Sequence, residues 1–395
     1  MSTQPRPRHA RGGYRQRGQA MLLVVMLFGM AAALLVYGMV DTSSLVLRRD
    51  RDTAAALAMA KEALIGRAVA DDNRPGSLPC PDTDNNGSAE LFVGNDCPSY
   101  IGRLPWMTLG LPDLRDGDGE RLWYALSNRF RDHGAVEPIN SDTKGNQTVY
   151  LGSTALVFTA EAVAVIFAPG ASFGAQIRDA ANANNSANYL DTAGGVNNAI
   201  AGGPFISAQG SATFNDRLLV ITTAELMPLV EQRVASEVRS ALLAYKDNSV
   251  CACYPWADIS DGTSQTDLNR GRVPTTALPE NWGTGTIPAL PSWFINNSWR
   301  LVIYYAVGRN FLQSGGGACT SCVDPTLTVN GVASKEAVII TPGPAGVSGA
   351  HTNWPFDYFE DAQNNDHSND ATGNDLYVTP SSTAYARDRL YIIRP

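Results

Sequence analysis

The sequence predicts an α+β protein, in which a long N-terminal transmembrane and stalk helix is followed by two tandem heads. Three observations support this prediction. An uncharged stretch of 22 residues follows a basic N-terminus, several segments occur twice in the same order, and each copy places strand-like runs after a helix. A helix laid across a small antiparallel sheet, the form expected for each head, is an α+β layer arrangement.

The N-terminal helix is predicted from the uncharged stretch at 19–40. As a helix it is about 33 Å long, which matches the roughly 30 Å hydrocarbon core of a bilayer. Residues 1–18 contain five arginines and no acid, so the positive-inside rule places them in the cytoplasm and the C-terminal body outside. A cleaved secretory signal is the alternative, although its apolar region is shorter, about 7–15 residues.

Beyond the membrane, the same helix is expected to continue as a stalk. The segment 41–70 lacks proline and is rich in Ala, Leu and Arg, which are good helix formers. Leu57, Ala60, Leu64 and Ala68 recur at helical spacing, as on the apolar face of an amphipathic helix. Two helices hinged near Ser43 and Ser44 are the alternative.

The composition excludes two classes of protein. Of 395 residues, 44% are apolar and 17% are charged, so the chain can bury a core and is not wholly disordered. The formal net charge is −8, and the basic residues of 1–18 leave the remainder more acidic still. Nucleic acid binding requires clustered Lys and Arg, so no nucleic acid partner is expected.

The segment 15–18 reads Arg-Gln-Arg-Gly and is followed at once by the apolar helix. This resembles the class III leader of type IV pilins and type II secretion pseudopilins. In that family a prepilin peptidase cleaves after the glycine, which here implies cleavage between Gly18 and Gln19. Major pilins carry a glutamate at the fifth mature position, where this chain has Leu23. The resemblance is therefore to minor pilins and the tip pseudopilin.

This resemblance implies a non-enzymatic minor pilin- or pseudopilin-like subunit, assembled into or priming a type IV pilus or type II secretion filament. The subunit would be single-pass in the inner membrane, with a periplasmic or extracellular body. Its expected partners are that membrane, the prepilin peptidase, other pilins or pseudopilins and the assembly platform. The alternative is a membrane-anchored extracytoplasmic adhesin or ligand-binding module.

The body carries a tandem repeat, which is best identified before any strand is assigned. Four segments recur in one order, offset by 169 to 181 residues. The matches are 102–105 with 271–274, 124–130 with 305–311, 164–170 with 337–343, and 215–221 with 387–393. This order makes coincidence improbable and indicates a duplication.

The repeat defines the predicted domains. They are a basic leader at 1–18, the transmembrane helix at 19–40, the stalk helix and first pilin-like head at 41–223, and the second head at 224–395. The second copy begins with a predicted helix, because Thr222 and Glu225 form a capping-box pattern ahead of an apolar stripe at helical spacing. Strand-like runs follow in each copy, at 121–126, 162–168 and 218–222, and at 301–307, 337–341 and 390–393.

Six cysteines are present, namely Cys80, Cys97, Cys251, Cys253, Cys319 and Cys322. In an exported body, disulfides are the expected state. Cys80 and Cys97 lie in one loop-rich stretch and are predicted to pair. The other four form C-x-C and C-x-x-C patterns, for which a zinc site is the alternative and whose pairing the sequence does not determine.

One loop has the composition of a calcium site. Asp82, Asp84, Asn86 and Glu90 place oxygen atoms at alternate positions around Gly87, as in the first half of an EF-hand loop. The position that should hold a bidentate glutamate is Val93. Calcium is therefore a candidate cofactor, against the alternative of a solvated turn rich in Asp and Asn.

No motif for catalysis is visible in the sequence. The four histidines are isolated, and no metalloprotease, phosphate-loop or nucleophile-elbow pattern occurs. The acidic run at 357–361 is interpreted as a loop that matches 189–191 in the first copy. We therefore expect no enzymatic activity and no catalytic residues.

Overall fold

The computed structural model describes residues 17–133, 138–249, 251–258, 269–275, 290–312, 326–344, 351–365, 375–380 and 387–394. Within these residues the chain forms three α-helices and fifteen β-strands. The helices are α1 (Arg17–Ala70), α2 (Thr223–Asn248) and α3 (Ser292–Asn296). The chain divides into two compact units, Met1–Asp52 and Thr53–Pro395.

The strands are short except for one. They are β1 (Ile101–Arg103), β2 (Trp123–Leu126), β3 (Gln147–Leu151), β4 (Ser153–Ala168), β5 (Thr192–Ala193), β6 (Val196–Asn197), β7 (Phe205–Ser207), β8 (Arg217–Thr222), β9 (Arg270–Arg272), β10 (Tyr304–Val307), β11 (Leu327–Val329), β12 (Val332–Lys335), β13 (Ala337–Thr341), β14 (Leu376–Tyr377) and β15 (Arg389–Arg394). Sheets therefore make up most of the regular structure of the larger unit.

Helix α1 has 54 residues. Across the described residues, however, no helix has a stretch that is both long enough and apolar enough to cross a bilayer. The predicted transmembrane helix at 19–40 is therefore wrong, and so is the predicted single-pass location in the inner membrane.

The larger unit begins within helix α1 and buries one face of it. Leu57, Ala60, Leu64 and Ala68 are all at most 4% exposed and belong to the largest hydrophobic cluster. Their spacing of three and four residues places them on one face of the helix, as expected from the sequence.

The first sheet has six strands. Strand β4 is central: its C-terminal half pairs antiparallel with β2 and β8, and its N-terminal half pairs antiparallel with β3. Strand β1 extends the sheet beyond β2, and β7 pairs parallel with β3.

The second half of the chain repeats this arrangement with the same strand order. Strands β9, β10, β13 and β15 form an antiparallel sheet in that spatial order, equivalent to β1, β2, β4 and β8. Strands β11, β12 and β14 form a separate three-stranded sheet. They are the counterparts of β3, of the start of β4, and of β7, respectively.

The two sheets also agree residue by residue. In the first, Tyr124 lies opposite Ile166, which lies opposite Leu219. In the second, the equivalent residues Tyr305, Ile339 and Tyr391 are opposite one another in the same way. Segments that match in sequence therefore occupy matching positions in the two sheets.

Helix α2 begins where a second head was expected to begin. The Thr222 side chain accepts a hydrogen bond from the backbone of Glu225, whose side chain accepts from the backbone of Thr222, so the capping box is formed. The apolar stripe of α2 is fully buried, and the helix lies against β4 and β8 of the first sheet and against β13 and β15 of the second.

This shared helix explains why the predicted architecture is wrong. Two separate heads would each need their own core, but one hydrophobic cluster contains residues of α1, of α2 and of both sheets. Residues Thr53–Pro395 consequently form one compact unit. The protein is a mixed α/β protein dominated by sheets, and not a membrane-spanning stalk with two heads.

Candidate functional site

The smaller unit displays an unusual apolar surface on helix α1. Met26, Leu27, Phe28 and Met30 are each 60–74% exposed. Five consecutive helical positions sweep more than one full turn, because an α-helix has 3.6 residues per turn. Apolar side chains are therefore exposed around the whole circumference at 26–30. We call these four residues the apolar collar.

A second exposed apolar run lies further along the same helix. Leu45, Val46 and Leu47 are more than half exposed and are followed by a charged segment in which Arg48 pairs with Asp52 at 3.9 Å. Apolar surface of this kind usually marks an interaction site in a soluble protein.

The proposed cleavage site lies at the start of helix α1. The helix begins at Arg17, so the backbone of Gly18 and Gln19 is in its first turn. The other four arginines of the leader lie outside the described residues.

The acidic loop brings three of its four candidate ligands together. The carboxylate oxygens of Asp82, Asp84 and Glu90 lie within 4.8 Å of one another. The buried Asp82 accepts backbone hydrogen bonds from Asp84, Asn85 and Gly87 at 2.6–3.1 Å. Burial raises the pKa of its carboxyl group above the usual range, against these hydrogen bonds.

The remaining side chains of this loop are also engaged with one another. Glu90 Oε1 accepts from the backbone and hydroxyl of Thr83, and Asn86 donates its amide to Asp84. Oxygen ligands of this kind fit Ca²⁺ in chemistry. The same oxygens, however, already satisfy the N–H groups of a turn rich in Asp and Asn, as expected for the alternative of a solvated turn.

The part of the chain that the structure describes contains two disulfides. Cys80 pairs with Cys97, and Cys251 pairs with Cys253. The first closes an interval of 17 residues and constrains the unfolded chain by about 3 kcal/mol in the loop-entropy account. The second removes two thiols from the four-cysteine zinc site considered above. Cys319 and Cys322 lie outside the described residues.

An apolar cleft of about 270 Å³ opens beside the first sheet. Its lining includes Tyr150, Leu151, Phe158 and Leu219. The rim carries an ion pair between Lys61 and Glu225 at 2.8 Å. Leu156 and Val157, which directly precede the lining residue Phe158 in the sequence, are about half exposed. The cleft has the shape and lining of a small apolar binding site.

The described histidines do not form a nucleophilic site. His351 Nδ1 lies 2.6 Å from Asp142 and its ring stacks on Tyr358. The neighbouring Ser141 hydroxyl donates to the buried Glu231 instead of His351. His133 lies against Phe92. A serine activated by a histidine base would need these groups in hydrogen-bond contact.

Two pairs of acids, Asp191 with Asp216 and Glu360 with Asp388, were not predicted from the sequence; all of them except Glu360 are buried. One member of each pair, Asp216 or Asp388, lies just before the last strand of its repeat. The duplication could have pointed to them, because the Asp-Arg segment at 216–217 matches the Asp-Arg segment at 388–389.

With this geometry established, the chain was compared with known proteins. No protein family, no curated protein and no solved structure matches it.

Proposed function

We propose that this protein is a non-enzymatic filament subunit, similar to minor pilins and pseudopilins, whose helix α1 is buried among the helices of other subunits. The apolar collar carries the proposal. A helix with apolar side chains on every face is normally found buried, because water offers such a surface no favourable contact.

Burial of the collar would contribute a large part of the free energy that assembly requires. Burying a Leu, Met or Phe side chain contributes about 1.5–3 kcal/mol. Four such side chains together approach the cost of association, about 4–15 kcal/mol. Neighbouring subunits that present similar helices would bury the collar from several sides, as in a helical bundle.

The resemblance to the class III leader supports the filament type. This resemblance implies that the partners are the prepilin peptidase, other pilins or pseudopilins, and an assembly platform of type IV pilus or type II secretion filaments. The absence of enzymatic activity is part of the proposal. In agreement with it, the Ser141 hydroxyl donates to Glu231 and not to a histidine base, as the hydroxyl of a nucleophilic serine would.

The test of assembly uses the full chain in its native host. Phe28→Asp places a charge on the collar and is expected to reduce incorporation into sheared filaments at least tenfold. Leu91→Asp is the matched control, because Leu91 is the most exposed large apolar residue described in the larger unit. Equal incorporation of both variants would contradict the proposal.

Processing is tested separately. Mass spectrometry of the mature protein is expected to find Gln19 as the N-terminus in cells with a prepilin peptidase, and an intact leader in cells without it. An intact 1–18 segment in both strains would refute cleavage after Gly18.

The apolar cleft favours a second candidate function, a ligand-binding module. An environment-sensitive apolar dye is expected to bind the full chain and to lose affinity in Phe158→Asp. If that variant lost dye binding and still entered filaments normally, the two functions would be separate. Unchanged dye binding would argue against the cleft as a site.

A further inference from the structure

A groove runs between helices α1 and α2 on the surface of the larger unit. Lys61 pairs with Glu225 at 2.8 Å, and Arg233 donates to the carbonyl oxygen of Val69 at 2.7 Å. Both contacts join residues that are 164 positions apart, so the two helices lie side by side and run in the same direction. The groove between them has a volume of about 710 Å³.

Apolar and small residues from both helices line this groove. Ile65 and Val69 come from α1, and Leu229, which is 41% exposed, comes from α2. Gly66 and Ser236 also belong to the lining. Two packed helices approach to 8–10 Å, depending on the side chains at the contact, and small side chains permit the closer approach. The groove therefore suits a third helix laid along it.

The charged residues of the lining give the groove an acidic character. They are Glu62, Arg233 and Glu237, so two acids stand against one arginine. The Arg233 guanidinium is already engaged, because it donates to the carbonyl oxygens of Val69 and Asp71 and lies 3.7 Å from Glu237. Glu62 is exposed. A helix that carries positive charge beside apolar side chains would be complementary to this surface.

The same chain presents such a helix in its smaller unit. The exposed apolar run Leu45–Leu47 is followed by 48–52, which contains three arginines and two aspartates. Leu47 is 68% exposed, and Arg51 is exposed four residues further along. Residues four apart lie on the same face of a helix. Leu47 and Arg51 thus place an apolar side chain and a cation on one side of α1.

We propose that the groove between α1 and α2 of one copy of this chain receives the 45–52 segment of α1 from a second copy. In this contact Leu47 packs against Ile65 and Leu229. Arg51 of the same segment lies beside Glu62.

The spacing of these residues sets the direction of the incoming helix. Arg51 lies about 6 Å beyond Leu47 along its helix, and Glu62 lies about 4.5 Å before Ile65, at 1.5 Å per residue. The apolar and charged contacts therefore form together when the incoming helix runs antiparallel to the helices of the groove. In the opposite direction Arg51 would move away from Glu62.

The groove and the 45–52 segment are different surfaces, so the contact is heterologous and each copy can both provide and receive a helix. Contacts of this kind continue from copy to copy unless the rotation closes a ring. The use of this contact in a filament rests on the proposed function, whereas the contact between two copies is testable without it.

Photo-crosslinking tests the contact in the full chain in its native host. One tagged copy carries benzoylphenylalanine in place of Leu229 and is expressed with a second copy that carries a different tag. Light is expected to join the two tags, and peptide mapping is expected to place the link within 44–52. The same photoreactive residue in place of Leu91, which is exposed outside the groove, is the control. Links from 229 only within one copy, only to other proteins, or not at all would overturn the proposal.

Substitutions on the incoming segment test the assigned residues. Leu47→Asp is expected to lower the yield of the link from 229 about tenfold, because it places a charge against apolar side chains. Arg51→Glu is expected to lower the yield about fivefold, in line with the strength of an exposed ion pair. Arg51→Lys is the conservative control and keeps the wild-type yield.

Charge reversal on the groove side completes this test. Glu62→Arg in the same chain as Arg51→Glu is expected to restore the yield, since the pair is then re-formed with its signs exchanged. Both residues are exposed, so neither substitution disturbs the core. An unchanged yield in Arg51→Glu, or no restoration by Glu62→Arg, would contradict the assigned contact.

Failure of this contact and failure of the proposed function are distinguishable. If Phe28→Asp prevented incorporation into filaments while no link formed between wild-type copies, the filament proposal would stand and the groove contact would be refuted. If copies were linked through 229 and Phe28→Asp entered filaments as well as Leu91→Asp, the groove contact would stand and the filament proposal would fall.

Discussion

The two repeats of the larger unit share their centre and differ at their edges. In both repeats a tyrosine, an isoleucine and a third residue lie opposite one another on three adjacent strands. In both, the strand at the edge of the sheet contains a Gly-Arg pair. At the edges, the first repeat has an acidic loop, within the interval closed by the Cys80–Cys97 disulfide, and a long strand β4 with an exposed apolar N-terminal half. The second has a disulfide of its own, Cys251–Cys253, and the short strand β12 in place of the start of β4.

This difference shows which contacts the fold requires. Repeated contacts involve backbone atoms or buried charges, where few substitutions are tolerated. Features found in one repeat are mostly at the surface, where loops accept change readily. The second repeat also has a buried ion pair of its own, between Lys246 and Glu336, to which Tyr254 donates a hydrogen bond.

The largest expected effect concerns the shared glycine of the edge strand. A Cβ at Gly271 would lie 2.1 Å from the carbonyl oxygen of Asp258, and the residue has φ of +151°. At Gly102 the same atom would lie 2.5 Å from the carbonyl oxygen of Asp82. Gly271→Ala is therefore expected to lower the free energy of unfolding by about 3 kcal/mol and Gly102→Ala by about 2 kcal/mol, measured by denaturant titration.

Gly66→Ala is the control for these substitutions. Gly66 lies inside helix α1 with no atom near the added Cβ, so alanine is expected to raise the free energy of unfolding by about 0.5–1 kcal/mol. If both strand variants were as stable as the wild type, the close approach of the edge strand would not be a constraint on either repeat.

Sequence patterns predicted local structure well in this chain. The stripe that includes Leu57 and Leu64 is buried, the Thr222–Glu225 capping box is formed, and Cys80 pairs with Cys97. These features depend on residues a few positions apart, or on one loop, so spacing is sufficient to recognise them.

Longer-range features were not predictable in this way. Periodicity shows that one face of α2 is buried, but not that Val230 and Val238 serve a cluster common to both sheets. An apolar stretch near a basic leader indicated a membrane span that the structure does not support. The pairing of Asp191 with Asp216 joins residues 25 positions apart in a loop-rich region, and no local pattern marks such a contact.

A smaller effect is expected for the arginine of the edge strand. The Arg103 guanidinium lies over the rings of both Trp123 and Tyr189, at 4.3 and 4.0 Å from their centroids, and donates to the carbonyl oxygens of Arg121 and Ala183. Burial lowers its pKa to about 10. Lysine has no planar group to stack and donates from one nitrogen where Arg103 uses two, so Arg103→Lys is expected to lower the free energy of unfolding by about 2 kcal/mol.

The equivalent arginine sharpens this comparison. Arg272 lies over Trp354 at the longer distance of 4.6 Å. Arg272→Lys is expected to lower the free energy of unfolding by about 1 kcal/mol, since cation–π attraction weakens with distance. If Arg272→Lys lowered the free energy of unfolding more than Arg103→Lys in the same denaturant titration, stacking distance would not determine which substitution is more destabilising.

The smallest expected effect concerns the acidic loop, which distinguishes the first repeat. Three backbone N–H groups donate to Asp82, and Thr83 donates to Glu90, so the loop is ordered by its own hydrogen bonds. Calcium would have to compete with these donors for the same oxygens. We therefore expect the thermal midpoint of the full chain at pH 7 to be the same with calcium as with a chelator. A rise with calcium that disappears in Asp84→Asn would instead identify the loop as a calcium site, because a ligand that binds the folded state stabilises it by mass action.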